Sequence, residues 1–249
     1  MKKLTEISTV SPDNIDKEQA KKKTKKYIEK ISDLQKVLYA QGRYSLLVVL
    51  QGLDASGKDG LISTVLHGVN PLGCEVVPFK APTKAELAHD FLWRIHSKTP
   101  EKGKICIFNR SHYEDVLVPV VENWIDQSVA EKRYKHINNF ESLLKDNNTI
   151  ILKFYLHISK ERQHERLTER KTNPLKFWKH NDDDWDTAKK FDHYQDAYDQ
   201  VFLHCNQPSW TIIPSDQNWY KEYLVAKKIK ETLESLPLEY PGLVTSDNQ

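Results

Sequence analysis

The chain has 249 residues, 39% of them hydrophobic and 29% charged, which suits one α/β domain with helical additions and a substantial core. Lys and Arg number 37 against 35 Asp and Glu, a net charge of +2, so no global coat for nucleic acid is present and an anionic partner must be held by a local cluster. No apolar run reaches the roughly 18 residues that cross a bilayer, and the basic start MKKLTEISTVSPDN lacks the apolar stretch of a secretory signal, so a cytoplasmic protein with no membrane partner is expected.

In chain order, residues 14–42 carry Tyr27, Ile31, Leu34 and Leu38 at helical spacing, with a lysine-rich opposite face at Lys21, Lys22, Lys23, Lys25 and Lys26. That face reads as a solvated helix surface that could also guide an anion. YSLLVVLQG at 44–52 has the continuous apolar character of a buried parallel strand. A helix of about three turns is expected over LISTVLHGV, then a strand at 74–80, a helix from Lys84 to Ser97 and a strand at 103–109. Two helical stretches separated around Asp126 follow, then a strand at 148–159, a lid segment at about 159–200, a strand at 209–215 and a closing helix from Asn218 to Leu236. Alternating strands and helices imply an α/β fold around a mostly parallel five-stranded sheet. The expected organisation is an N-terminal helical extension at 1–43, a main α/β domain at 44–240 and a tail at 241–249. Cys74, Cys106 and Cys205 are too scattered for a disulfide framework or a metal site and are expected to be reduced and partly buried.

The first strand runs into GLDASGKDG. Gly52, four residues, Gly57 and Lys58 match the phosphate-binding loop except for its final Ser/Thr, which is Asp59 here. Glycines at those positions let successive N–H groups converge on one hollow, and the helix start and Lys58 add positive charge. Phosphate is therefore expected against Gly52, Ala55, Ser56, Gly57, Lys58, Asp59 and Gly60. Asp54 would repel phosphate unless a divalent cation lay between them, which makes it the leading metal ligand. Asp59 either binds the metal through water or caps the helix start.

The third strand ends in FNRSHYEDVLV, where ligands of open α/β sheets bind. Asn109 takes the place of the usual strand-end aspartate, and Arg110 follows it. Glu114 and Asp115 either restore the missing negative charge at the metal or serve as helix-start carboxylates. His112 is read as a hydrogen-bonding or packing residue in preference to a phosphohistidine.

GLDASGKDG, GVNPLGCEVVPFKAPTKAELAHDFLWRIH and FNRSHYEDVLV together resemble the polyphosphate kinase family 2 signature, with a likeness spanning roughly residues 20–240. The resemblance implies a P-loop kinase-like three-layer fold, with 44–240 a phosphotransferase domain that includes a helical lid at about 159–200. It also implies Mg²⁺-dependent transfer (Mn²⁺ being the alternative cation) between inorganic polyphosphate and nucleoside mono- or diphosphates, in a homodimer or homotetramer. NRSHYEDVL is similar to the branch that accepts both AMP and ADP. By the same resemblance Asp54 serves the metal and the nucleotide's terminal phosphate, and Lys58 and Arg110 contact phosphate. Asn109 and Glu114 fall in the nucleotide-binding set.

The segment SKERQHERLTERKTNPLKFWK repeats Arg162, Arg166 and Arg170 every four residues, one stripe on a helix that Ser159 would cap. Taken alone it could be an ordinary ion-paired surface helix. The resemblance makes it a lid in which Arg170 stabilises the transferring phosphoryl group, with catalysis resting on Asp54, Lys58, Arg110 and Arg170. Lys80, Arg94, Arg166, Lys171, Lys176 and Lys179 would supply cations along a polyphosphate groove. The acidic run Asp182 to Asp184 is expected to be solvated. Two competing readings stay open here: an ATP-dependent nucleoside monophosphate kinase and a non-catalytic nucleotide or polyphosphate sensor.

Overall fold

A computed structural model describes residues 2–243, so most of the tail expected at 241–249 lies outside the described residues. Five strands form one sheet in the order β2-β3-β1-β4-β5: β1 (Ser45–Gln51), β2 (Cys74–Pro78), β3 (Ile105–Asn109), β4 (Thr149–His157) and β5 (Trp210–Pro214). Every pairing among them is parallel. All of β1 is buried, as an apolar run without alternation requires when helices cover both faces.

The pleat divides the core into two layers. Leu46, Val48 and Leu50 pack with Ile31 and Leu38 of α1 (Lys17–Gln41), Leu61 of α2 (Lys58–Val65) and Val225 and Ile229 of α10 (Asn218–Glu234). Leu47 and Val49 face the other way, toward Val116 of α5 (Glu114–Val121), Ile137 of α6 (Gln127–Asp146) and Tyr198 of α9 (Phe191–His204). Asp16 caps α1 through Gln19 N at 2.7 Å, and Gly42 ends it in the left-handed region at φ 62°.

Three local expectations change. The helix expected from Lys84 to Ser97 is two short helices, α3 (Lys84–Leu87) and α4 (Trp93–His96). Between them the Asp90 carboxylate accepts from Leu92 N at 2.9 Å, a side-chain turn that competes with helix continuation, and Leu87 is left exposed. The helix after the loop starts earlier and ends at Val65, two turns long. The expected lid also divides. Helix α7 (Lys160–Thr172), a 3₁₀ segment at Pro174–Lys179 and α8 (Asp183–Lys189) precede α9, whose Phe191, Tyr194, Tyr198 and Phe202 belong to the core.

Cys106 and Cys205 are buried and Cys74 is half-buried; all three are free thiols. Burial pushes Cys106 and Cys205 up to about 12, which keeps them as inert thiols. Among the described residues, no helix is long and apolar enough to cross a membrane.

Candidate active site

Order 2-3-1-4-5 sets the carboxyl ends of β1 and β3 side by side, with Leu50 opposite Asn109 and Arg110 N donating to Leu50 O at 3.0 Å. The glycine loop leaves β1 and the NRSHYED turn leaves β3, so the two sequence motifs meet at one edge of the sheet. Two glycines are required there. Gly52 lies at φ 150°, where a Cβ would stand 2.9 Å from Leu156 O; Gly57 lies at φ 92°, with Lys221 Nζ 2.1 Å from the position of a Cβ.

Side-chain donors tie down the loop's carbonyl oxygens one after another. Lys58 Nζ donates to Gly52 O (2.7 Å) and Leu53 O (3.1 Å), and Gln163 Nε2 to Asp54 O (3.1 Å). Arg166 donates to Ala55 O (2.9 Å) and Ser56 O (3.0 Å), and Lys221 Nζ also reaches Ser56 O (3.1 Å). Ser56 N is spent on Leu53 O at 3.1 Å; with the carbonyls held by these donors, the remaining amide hydrogens of the loop and of the first turn of α2 are the groups left to face an anion.

Above the loop lies a cleft of about 610 Å³, bounded by α7, the 3₁₀ segment and the start of α10. Nine Lys and Arg side chains line it against four Asp and Glu, a balance that suits a polyanion. Burial lowers Lys58 to about 8 and Lys221 to about 7, so near neutral pH Lys58 keeps most of its charge in the free protein while Lys221 gives up part of its own. An incoming phosphate chain would draw a proton back onto Lys221.

Asp54 forms an ion pair with Arg110, which also donates to Glu114 at 2.9 Å. Burial alone would raise the Asp54 carboxyl, but Arg110 and Lys58 outweigh it and hold it below the ordinary carboxylate value. Arg110 sits at φ 64°, an unusual backbone for a non-glycine residue. The residues after it hold it there. Ser111, His112 and Tyr113 are fully buried, with Ser111 Oγ accepting from Gln51 Nε2 at 3.0 Å and Tyr113 Oη donating to Glu141 Oε1 at 2.8 Å. Glu141 in turn pairs with Lys153 at 2.7 Å inside the core. His112 lies 3.3 Å from Glu141 and takes the packing role expected of it.

A family model described as "Polyphosphate kinase 2 (PPK2)" matches residues 14–239. The chain belongs to the polyphosphate kinase 2 family. It is 48% identical over 222 residues to the AMP/ADP-polyphosphate phosphotransferase of Meiothermus ruber, a match covering 88% of this chain and 83% of that one. It is 42% identical over 228 residues to the ADP-polyphosphate phosphotransferase of Rhodopseudomonas palustris, covering 86% and 79%. The crystal structure of polyphosphate kinase 2 from Arthrobacter aurescens TC1 superposes with a TM-score of 0.86 at 34% identity, over 98% of this chain and 94% of that one.

In this polyphosphate kinase 2 chain, Asp54, Ala55, Gly57, Lys58, Asp59, Gly60, Lys80, Asn109, Arg110, Arg166, Arg170, Lys176 and Lys179 come together around the cleft. Gly52 and Ser56 belong to the loop but are buried beneath its surface. Glu114 stands behind the wall, paired with Arg110. Asp59 sits in the first turn of α2, one carboxylate oxygen accepting from Asn109 Nδ2 (3.0 Å) and the other from Lys179 Nζ (3.1 Å). It therefore ties loop, strand end and the 3₁₀ segment together, and these bonds hold its carboxyl below the ordinary value against burial.

Arg94, Asp115 and Lys171, also expected at the site, do not line the cleft either. Arg94 is turned into the protein, donating to Lys80 O (2.8 Å) and Asp115 (3.2 Å), so the groove cation and the metal carboxylate neutralise each other instead. Lys171 points away, 4.7 Å over the Trp185 ring. The acidic run is not wholly solvated either: Asp182 and Asp183 are exposed, but Asp184 forms an ion pair with Arg170 and both side chains are largely covered. Burial and then the Asp54 charge raise the Asp184 carboxyl above the ordinary value.

Lys221 went unnoticed in the sequence, although a signal was there. It heads the stripe Lys221, Val225, Ile229 and Leu233, a lysine in the apolar register of its helix. Arg162 also reaches the cleft, beside Asn218 and Glu222.

Proposed function

We propose that this protein transfers a phosphoryl group from inorganic polyphosphate to AMP or ADP by direct in-line displacement in the cleft over the glycine loop. The single observation that carries the reading is the excess of cations around a phosphate loop whose carbonyls are already bound. Naming AMP and ADP as acceptors draws on the 48% identical relative named an AMP/ADP-polyphosphate phosphotransferase.

Phosphoryl transfer needs alignment and charge neutralisation more than proton chemistry, because the acceptor's phosphate oxygen is already anionic. Lys58 and the loop amides would hold the donor's phosphates, with Arg110 across from them at the end of β3. Arg170 would reach the transferring group from α7, where a cation stabilises charge on the equatorial oxygens as the bond breaks. In each case the cation must leave its present partner: Arg110 leaves Asp54, and Arg170 leaves Asp184. The substrate's own negative charge supplies the competition.

The residues fit a divalent cation that arrives with phosphate. Among the described residues no group of three His, Cys, Asp or Glu could hold a metal alone, whereas Mg²⁺ commonly uses one or two carboxylates and completes its shell with phosphates and water. Asp54 would hold it. When bound, the cation supplies charge neutralisation between donor and acceptor. Mg²⁺ in preference to Mn²⁺, a cytoplasmic setting and a homodimeric or homotetrameric assembly belong to the same reading.

The test is transfer without ATP. Purified protein given ADP, or separately AMP, with long-chain polyphosphate and Mg²⁺ is expected to form ATP or ADP. No product from either acceptor, together with AMP phosphorylation when ATP is the donor, would return the monophosphate kinase reading.

A further inference from the structure

A second cleft, about 850 Å³, lies between α1, α2 and α10, outside the catalytic one. Its walls carry Lys21 and Lys25 from α1, Ser63, Thr64 and His67 from α2 and the turn after it, and Trp219 and Glu222 from α10. Glu222 lines both clefts, so the two hollows meet at the first turn of α10. On the catalytic side of that junction stand Arg162, Arg166 and Lys221.

The charges in the second cleft are ordered along its length. Helices α1 and α10 run side by side in the same direction: the Tyr27 and Tyr223 rings stack at 5.9 Å, and Gln41 Nε2 donates to Pro237 O at 3.0 Å. Lys21 and Lys25 therefore stand level with the start of α10, at the junction. Glu29 and Asp33 stand at the opposite end, where Ser32 Oγ donates to Gly68 O at 2.7 Å. Lys21 has only an exposed partner, Glu18 at 3.0 Å, and Lys25 is in no ion pair among the described residues. A single opposing carboxylate, Glu222, sits at the junction, beside Lys221 in sequence.

Resting on the reading of the catalytic cleft given above, we infer that the α1–α2–α10 cleft binds the trailing segment of a long polyphosphate chain as it leaves the catalytic cleft past Glu222. A chain longer than the catalytic cleft must leave it somewhere. At this end the cations continue from Arg162, Arg166 and Lys221 on one side to Lys21 and Lys25 on the other, and then give way to acids. The lysine face of α1 thus acts on donor length and leaves the transfer step alone.

The test compares size-fractionated linear polyphosphates as donors to ADP, using wild type, Lys21→Ala/Lys25→Ala and Lys21→Arg/Lys25→Arg proteins. In wild type the KM per chain is expected to fall as chains outgrow the catalytic cleft. The alanine variant is expected to lose that gain, with KM for the longest chains about fivefold higher, as two exposed charge contacts allow. Its kcat and its KM for the shortest accepted chain stay at wild-type values, and the arginine variant restores the length dependence. Raised salt will narrow the gap between wild type and alanine variant. An unchanged KM-versus-length curve in the alanine variant would overturn the inference, as would a wild-type KM that ignores length. Absence of transfer from any chain length in all three proteins would instead overturn the catalytic reading on which it rests.

Discussion

Lys58→Ala is expected to leave the protein folded and to cut transfer from polyphosphate by about a hundred- to a thousandfold, the usual cost of losing one donor aimed at developing charge. In the free protein this lysine is largely buried at the floor of the cleft and rests on Gly52 O and Leu53 O, 2.7 and 3.1 Å away. Those bonds are worth about 1 kcal/mol each, and removing a cation that burial has already lowered to about 8 relieves a desolvation cost of the opposite sign. Stability therefore changes little while activity collapses. Steady-state rates beside a thermal melt check both halves at once. A variant within threefold of wild type would show that phosphate is held by other groups.

Glu141→Gln is expected to destabilise the fold by about 3–5 kcal/mol, because it strands the Lys153 ammonium in a dry core. The carboxylate meets Lys153 Nζ at 2.7 Å, Tyr113 Oη at 2.8 Å and His112 Nε2 at 3.3 Å, and both members of the ion pair are completely buried. Burial pushes Glu141 toward its neutral form, but His112 and Lys153 prevail and keep it ionised. For a chain of this size the melting temperature falls on the order of 10 °C. Pairing the change with Lys153→Met removes the stranded charge and is expected to recover part of the loss. A single variant that melted within a degree of wild type would contradict the network as drawn. Because this cluster holds Ser111 to Tyr113, its loss also loosens the strained backbone of Arg110.

The fold was legible because its signals are local. A continuous apolar run wrote β1, glycines at 52 and 57 wrote the loop, and Ser159 announced α7, whose Arg162 N it caps at 3.1 Å. The residues of the loop, of the β3 end and of α7 converge because parallel strands bring their carboxyl ends to one edge, a consequence of topology that sequence order implies. What escaped was pairing. Nothing in the sequence says that Arg94 and Asp115, both counted for the cleft, would cancel each other, or that Asp184 would leave its solvated neighbours to hold Arg170. Such choices depend on distances between segments far apart in the chain. Charged residues in apolar register are the exception. Lys153 within TIILKFYLH, Glu141 on the buried face of α6 and Lys221 on that of α10 each broke a pattern, and each proved to be part of a network.

The account turns on Asp54 giving up Arg110 for a phosphate-bound cation. A crystal structure of the protein with polyphosphate, Mg²⁺ and an unreactive ADP analogue measures that directly. The expected result is a phosphate chain over Gly57 and Lys58, with the Asp54 carboxylate turned from Arg110 onto the metal. Phosphates lodged elsewhere, with Asp54 and Arg110 still joined, would contradict it.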